Sequence, residues 1–137
     1  MPELPEVETV RRTLCEAIKD QKITSVLLRY PKIVQNNPDV FTKEIVGQTI
    51  CDIKRKGKYL IFILTDFAMI IHLRMEGKFF IKRDEPFDKH EHIIFYFKSG
   101  LELRYHDVRK FGTIHLLPLD NYMNLYPIVE LADEPKD

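Results

Sequence analysis

Apolar residues recur every three or four positions at the start of the chain. They are Leu4, Val7, Val10, Leu14, Ala17 and Ile18. This spacing places them on one face of a helix, so the pattern predicts an amphipathic helix over residues 5–19. Pro2 and Pro5 suit the approach to such a helix and its first turn, and the early glutamates complement its dipole. A second, short helix is expected over residues 40–46, because two apolar residues there lie four positions apart.

After residue 20 the pattern changes to short β-type runs. The eight predicted strands cover 22–30, 49–54, 59–65, 68–75, 78–83, 92–98, 101–106 and 113–117. Tight turns or bulges are expected at Gly57, Gly77, Gly100 and Gly112. Short strands with close turns predict an α+β, mostly β fold. We expect an antiparallel β-sandwich of about eight strands with an N-terminal helix and one short additional helix.

The last part of the chain is rich in turn-forming residues. Asn121, Asn124, Pro127 and Pro135 follow the last predicted strand. A chain of 137 residues is long enough for one domain with a real core. We therefore predict a β-sandwich domain over residues 1–118, followed by an exit segment over residues 119–137.

Composition excludes several classes of protein. Apolar residues make up 45% and charged residues 31% of the chain, which is typical of a globular protein and not of a disordered one. The longest apolar runs have the length of strands, so no membrane-spanning helix is expected. The acidic start does not resemble an export signal. Cys15 and Cys51 make neither a disulfide framework nor a metal cluster, which favours the reducing cytoplasm, and both are expected to be buried structural residues.

Charge is unevenly distributed although the formal net charge is zero. The stretch 54–83 is strongly basic, whereas residues 1–20 and the last dozen residues are mainly acidic. A basic middle could attract phosphate groups. The alternative, which charge alone leaves open, is a set of solvated strand faces.

The amino terminus carries candidate chemistry. If Met1 is removed, Pro2 becomes a free secondary amine, and the pKa of an α-amino group lies about two units below that of lysine. Such an amine can attack a sugar aldehyde carbon and form an iminium. Glu3 and Glu6 lie three positions apart, on one side of a helical turn, where carboxylates could move protons. The alternative is that proline and acidic residues simply begin the helix; a retained Met1 would also block the amine.

Five separated motifs resemble the bacterial formamidopyrimidine-DNA glycosylases, which excise oxidised purines and nick the strand. They read PELPEVETVRR from Pro2, KGKYL from Lys56, IHLRMEG from Ile71, KHEH from Lys89 and LRYHDVRKFG from Leu103. They occur in the family's order and span nearly the whole chain. The chain is therefore expected to correspond to the N-terminal catalytic domain of that family.

The resemblance implies a role for each matching residue. Pro2 would be the nucleophile at the deoxyribose C1′, Glu3 the general acid/base and Glu6 a supporting carboxylate. Lys58 at its glycine turn would bind a phosphate beside the lesion, and His72 would contact the DNA backbone. His90, in the Lys-His-x-His motif, is a further implied DNA contact.

The resemblance also implies residues that fill the space left by an everted base. Met75, Arg109 and Phe111 match these residues, with Arg109 also reading the cytosine opposite the lesion. The family loop usually reads Asp-Pro-Arg-Arg-Phe, whereas Val108 and Lys110 stand here. Lys110 would still neutralise a phosphate but lacks the bidentate geometry of arginine.

The family continues into a helix-two-turn-helix domain and a four-cysteine zinc finger, which these residues do not match. No cofactor is expected within this chain, and its activity alone is expected to be weak or absent. The implied partner is double-stranded DNA with oxidised purines or abasic sites. We expect a monomer in the bacterial cytoplasm, associated with the nucleoid through its substrate, and no membrane partner.

Three alternatives stay open. An endonuclease VIII-like enzyme shares the implied fold and proline chemistry but prefers oxidised pyrimidines. A tautomerase also uses an amino-terminal proline, although nothing here repeats its β-α-β units. A non-catalytic DNA-binding module would use the basic stretch without turnover.

Overall fold

The computed structural model describes residues 4–131, and side chains within residues 6–130. Helix α1 spans Leu4–Ile18 and helix α2 spans Pro38–Ile45. The amphipathic pattern of α1 is confirmed, because Val7, Leu14 and Ile18 are buried. The side chain of Asn37 accepts hydrogen bonds from two backbone N–H groups at the start of α2, which fixes where that helix begins.

Within the described residues, eight antiparallel strands form two four-stranded sheets. The strands are β1 (Ile23–Leu28), β2 (Ile50–Lys56), β3 (Tyr59–Leu64), β4 (Phe67–His72), β5 (Lys78–Lys82), β6 (Glu91–Phe97), β7 (Glu102–His106) and β8 (Thr113–Pro118). The first sheet has the order β1-β6-β7-β5 and the second the order β2-β3-β4-β8. This confirms the α+β, mostly β prediction.

One hydrophobic core joins both sheets and both helices. The rings of Phe62 on β3 and Phe79 on β5 lie 5.8 Å apart, so side chains of the two sheets meet directly. The turn after β4 and the loop after β7 both cross from one sheet to the other. These two crossings therefore lie where the sheets come together.

The segment that follows β8 packs on the second sheet. Ile128, in a 3-10 helix over Ile128–Leu131, is buried in a small cluster with Ile61, Ala68 and Ile70. These positions alternate with core positions of the same strands, so the cluster covers the sheet's other face. The boundary at residue 118 stays a prediction.

The prediction that both cysteines are buried is wrong. Cys51 is exposed and Cys15 is half-buried. The pairing of β2 with β3 shifts register between Ile50 and Asp52, and this irregularity leaves Cys51 on the solvent side. The Cys15 thiol instead lies 3.6 Å from an Asp52 carboxylate oxygen.

Candidate functional site

Four connections gather at one end of the two sheets. Tyr59 pairs with His72, and His72 pairs with Thr113, so the β2–β3 turn, the end of β4 and the start of β8 are neighbours. In the first sheet, His106 pairs with Glu91, which places the end of β7 beside the start of β6. Four of the five motifs fold to this end because each begins or finishes a strand there.

The amino-terminal half of α1 lies at the same end. Glu6 lines a cavity of about 370 Å³ together with Val10, Met75, Glu76 and residues of β5. The structure thus brings Glu6 and Met75 to one site. Pro2 and Glu3, the predicted nucleophile and acid/base, lie outside the described residues.

The β4–β5 turn holds Met75 away from the core. The Met75 side chain is 54% exposed. Arg74 adopts a positive φ of 57°, and the Gly77 N–H donates to the Leu73 carbonyl. A Cβ on Gly77 would lie 2.5 Å from that carbonyl oxygen, so only glycine fits this tight turn.

The loop over residues 107–112 is organised around the buried carboxylate of Asp107. Its Oδ2 accepts from the Tyr105 hydroxyl at 2.8 Å and from the Gly112 N–H at 2.9 Å, and its Oδ1 accepts from the Lys110 N–H at 3.1 Å. A Cβ on Gly112 would lie 1.6 Å from the Tyr105 Oη. Burial and the hydrogen bond to Asp107 raise the pKa of Tyr105, so its hydroxyl stays protonated.

This loop projects its predicted DNA-contacting residues outward. Phe111 is 56% exposed, and the Arg109 guanidinium lies 2.9 Å from a Glu76 carboxylate oxygen. The ion pair joins the loop to the turn that carries Met75. Lys110 turns a different way, because its ammonium lies 4.5 Å from the ring centroid of Tyr30.

His72 is neutral at physiological pH. Burial, followed by the positive charges of Arg74 and Lys58, lowers its pKa to about 4. Its Nδ1 accepts from the Arg74 N–H at 3.0 Å, so the proton is on Nε2. The Tyr59 ring packs edge-on at 4.7 Å. His72 can therefore donate one hydrogen bond to an anion, and the positive charge of Lys58 acts on it.

A cluster around Glu8 connects α1 to the β2–β3 turn, and the sequence analysis missed it. The Glu8 carboxylate accepts from Arg11 at 2.7 and 3.0 Å and from Arg55 at 3.4 Å. Arg55 also donates to the Gly57 carbonyl, next to Lys58. Hydrogen bonding to Arg11, with Arg55 adding to it, lowers the pKa of Glu8 to about 2. The i, i+3 spacing of Glu8 and Arg11 was the available sequence signal.

The basic stretch is not a uniform surface patch. Lys82 pairs with the buried Glu91, and Arg83 donates to the Ser99 carbonyl at the opposite end of the first sheet. Arg55 is engaged with Glu8, as described. Several of these cations therefore stabilise the fold through internal contacts. The total positive charge of the stretch is larger than the charge that could interact with a phosphate backbone.

His90 lies in the connection between β5 and β6. Its ring packs edge-on against that of His106, with centroids 5.6 Å apart. Its backbone N–H donates to the Asp88 carboxylate at 2.8 Å. His90 thus lies at the same end of the sheets as the other predicted contacts.

Within residues 4–131, no group of three or more His, Cys, Asp or Glu side chains is arranged to hold a metal ion. None of the helices in this range is long and apolar enough to cross a membrane.

Comparisons with known proteins agree with this geometry. The family model described as the formamidopyrimidine-DNA glycosylase N-terminal domain matches residues 1–114. A formamidopyrimidine-DNA glycosylase of Bacillus cereus is 49% identical over 140 residues, which cover 100% of this chain and 51% of that protein. That of Bacillus subtilis is 48% identical, over 98% of this chain and 50% of that protein.

Solved structures give the same result. The Lactococcus lactis enzyme bound to FAPY-dG-containing DNA has a TM-score of 0.85 and 48% identity, covering 88% of this chain and 46% of that one. A complex with DNA containing carbocyclic 8-oxo-G has a TM-score of 0.86 and 48% identity, covering 89% and 46%. The chain spans about half the length of the curated relatives it matches. It belongs to the formamidopyrimidine-DNA glycosylase family and corresponds to that family's N-terminal domain.

Proposed function

We propose that this chain supplies the catalytic domain of a base-excision repair enzyme, a bifunctional DNA glycosylase and AP lyase for oxidised purines such as 8-oxoguanine and formamidopyrimidines. Family membership supports the proposal, since the matched domain includes every motif named above. The substrates named for the solved neighbours, FAPY-dG, 8-oxo-G and abasic DNA, are of this class.

One observation carries the proposal. An apolar side chain, Met75, is held 54% exposed at a cavity that it shares with Glu6, and an ion pair joins its turn to the loop bearing Arg109 and Phe111. Exposed apolar and planar groups on tightly built turns are what an enzyme needs to fill a duplex from which one nucleotide has been everted. A turn built only for stability would bury them.

The chemistry begins at the amino terminus. The Pro2 nitrogen attacks C1′ of the damaged nucleoside as the bond from C1′ to the base breaks, and the iminium forms when the bond from C1′ to the ring oxygen O4′ then breaks. Glu3 acts as general acid/base in opening the sugar ring, and Glu6 supports it from the same pocket. Elimination of the 3′ phosphate then nicks the strand. Lys58, His72, His90 and Lys110 bind the DNA around the reacting nucleotide.

We propose that the activity of this chain alone is weak or absent. In the family, a helix-two-turn-helix domain and a four-cysteine zinc finger supply further DNA contacts, and zinc belongs to that part. Within this chain no cofactor is assigned. A monomer in the bacterial cytoplasm, reaching the nucleoid through its substrate, completes the proposal.

Preference for oxidised pyrimidines is a second candidate. One neighbour, the Lactococcus lactis enzyme, has been crystallised with DNA containing an oxidised pyrimidine. The two preferences are separated by measuring excision rates on duplexes that differ only in the lesion, an oxidised purine in one and an oxidised pyrimidine in the other.

Borohydride trapping tests the catalytic role. The chain, with removal of Met1 verified by mass spectrometry, is mixed with abasic or 8-oxoguanine duplex under borohydride, which reduces the iminium to a stable adduct. We expect an adduct at low yield that Pro2→Gly abolishes. Pro38→Gly, the same replacement at the start of α2, should retain it. Binding without any adduct in the full-length protein, with both halves present, would overturn the catalytic proposal in favour of a DNA-binding module.

A further inference from the structure

The segment of residues 84–90, within the connection between β5 and β6, is held unusually firmly for an exposed segment. We call it the His90 loop. It has no regular secondary structure, so its backbone groups find no partners in a sheet or helix of their own. Two arginines from neighbouring strands provide those partners instead.

Arg104 holds the first half of the loop. It lies on β7 and is 1% exposed. Its Nη2 donates to the Glu85 carbonyl at 2.7 Å and its Nη1 to the Pro86 carbonyl at 3.2 Å. The same guanidinium pairs with Glu91 at 2.8 Å and Glu102 at 2.6 Å, which fixes its own orientation. A buried guanidinium that binds two carbonyls and two carboxylates cannot easily reorient, so Arg104 is a rigid support for the loop.

Arg29 holds the second half. It follows β1, and its Nη1 donates to the Asp88 carbonyl at 2.8 Å and to the Glu91 carbonyl at 2.7 Å. These two carbonyls flank His90. Both guanidinium groups also lie within cation–π range of Phe87, at 4.7 Å for Arg29 and 4.9 Å for Arg104. The ring is 46% exposed, so its burial alone does not hold it there.

Hydrogen bonds within and next to the loop in turn fix the backbone of His90. The His90 N–H donates to the Asp88 carboxylate, and the Glu91 N–H to the Asp88 carbonyl at 3.1 Å. The His90 carbonyl accepts from the Asp107 N–H at 3.0 Å, next to the loop of Arg109. The His90 backbone is thus fixed between the arginine-held loop and the loop that carries the duplex-filling residues.

We infer that Arg29 and Arg104 are positioning residues for DNA binding, which hold the His90 loop in one conformation and so set the place of the His90 imidazole. The inference rests on the proposed function, because it takes His90 to contact DNA. Neither arginine has to contact the DNA in order to play this role. A mobile loop would lose entropy on binding, and the two arginines remove that loss before the DNA arrives.

Arg29 is the better residue to change, because it is exposed and lies outside the buried cluster of Arg104. Arg29→Gln removes one charge and the two carbonyl contacts. Arg83→Gln is the matched control: Arg83 donates to one carbonyl, that of Ser99 at the β6–β7 turn, in an exposed hydrogen bond. Both variants lose the same charge, so a general electrostatic effect would appear in both.

The first measurement is hydrogen exchange in the free chain. In Arg29→Gln we expect the backbone amides of Asp88, His90 and Glu91 to exchange about tenfold faster, while core amides of β6 keep their rates. Arg83→Gln should leave the His90 loop unchanged. Unchanged exchange at these three amides in Arg29→Gln would overturn the inference, whatever happens to DNA binding.

The second measurement is a double-mutant cycle in binding of an abasic-site duplex. We expect Arg29→Gln to weaken binding about fivefold, and by less than about twofold when His90→Ala is already present. An equal loss with and without His90 would overturn the inference and make Arg29 a direct phosphate contact. If His90→Ala binds normally while the loop amides still respond, the loop is held as described but the DNA-binding role of His90 falls, and with it the inference as stated.

Discussion

At the scale of single residues, the site depends on side chains whose protonation is fixed by their surroundings. His72 is the clearest case, since its Nδ1 is occupied by a backbone N–H and burial keeps the ring neutral. A neutral donor binds a phosphate oxygen without needing acid conditions.

The low pKa of His72 predicts a pH dependence of folding. Its pKa is about 4 in the folded chain and about 6.5 when unfolded, so the unfolded state takes up a proton first as pH falls. Stability should therefore decline between pH 6.5 and pH 4, by about 3 kcal/mol in total. Urea denaturation at pH 7 and pH 4.5 measures this.

The His72→Gln variant identifies the source of that decline. Glutamine keeps a donor and an acceptor near the Arg74 N–H but does not titrate, so its stability should fall less over the same range. His115→Gln should also reduce the decline in stability, because burial also lowers the pKa of His115. A decline as steep in His72→Gln as in the unchanged chain would contradict the assignment.

At the scale of elements, α1 must be docked correctly for its amino terminus to reach the cavity. The packing of Val7, Leu14 and Ile18 fixes which face is buried, but it leaves room for sliding along the sheet. The Glu8 cluster fixes the position of α1 along the sheet, because its hydrogen bonds form only with specific partners. It joins the helix to Arg55 and, through the Gly57 carbonyl, to the turn of Lys58.

Glu8→Gln should therefore loosen the helix from the β2–β3 turn. We expect a lower melting temperature than that of the unchanged chain at pH 6. The pKa of Glu8 is lowered from 4.5 to about 2, so its contribution is present above pH 4.5 and is lost as pH falls toward 2. The difference between the two chains should shrink over that range. Glu16→Gln, on the same helix, is the control, and an equal effect there would refute a specific role for Glu8.

The elements themselves were largely predictable from the sequence. The spacing of apolar residues identified α1, and β-type runs ended by glycines identified the strands to within a few residues. Pairing of β1 with β6 was not predictable, because it joins residues 65 to 74 positions apart and depends on packing of whole sheets. The exposure of Cys51 was missed for a related reason, since a local register shift leaves no mark in periodicity.

The residues of the candidate site also fall into two groups, those that the sequence predicted and those that it did not. Family motifs led to Glu6, Lys58, His72 and Met75, which the structure gathers at one end. They gave no role to Asp107, whose three hydrogen bonds shape the Arg109 loop, or to Arg29, whose contacts lie 59 and 62 positions away. Such supporting residues act through distances that only the folded chain provides.

At the scale of the whole molecule, net charge is a poor guide to DNA binding. The chain is formally neutral, and Arg55, Lys82 and Arg83 are occupied by internal contacts. Attraction for a phosphate backbone must then come from the few cations at the end where the loops gather. The dependence of binding on salt counts such contacts, because each neutralised phosphate releases a counterion.

Lys58→Gln should reduce the slope of log K against log salt by about 0.9, the value for one phosphate contact. Lys58 lies in the β2–β3 turn at the gathered loops, where its positive charge acts on His72. Arg83→Gln removes the same charge at the opposite end of the first sheet and should leave the slope unchanged. The measurement is titration of one labelled duplex at four salt concentrations. Equal slope changes in the two variants would mean that DNA responds to total charge, and the localised interface would have to be abandoned.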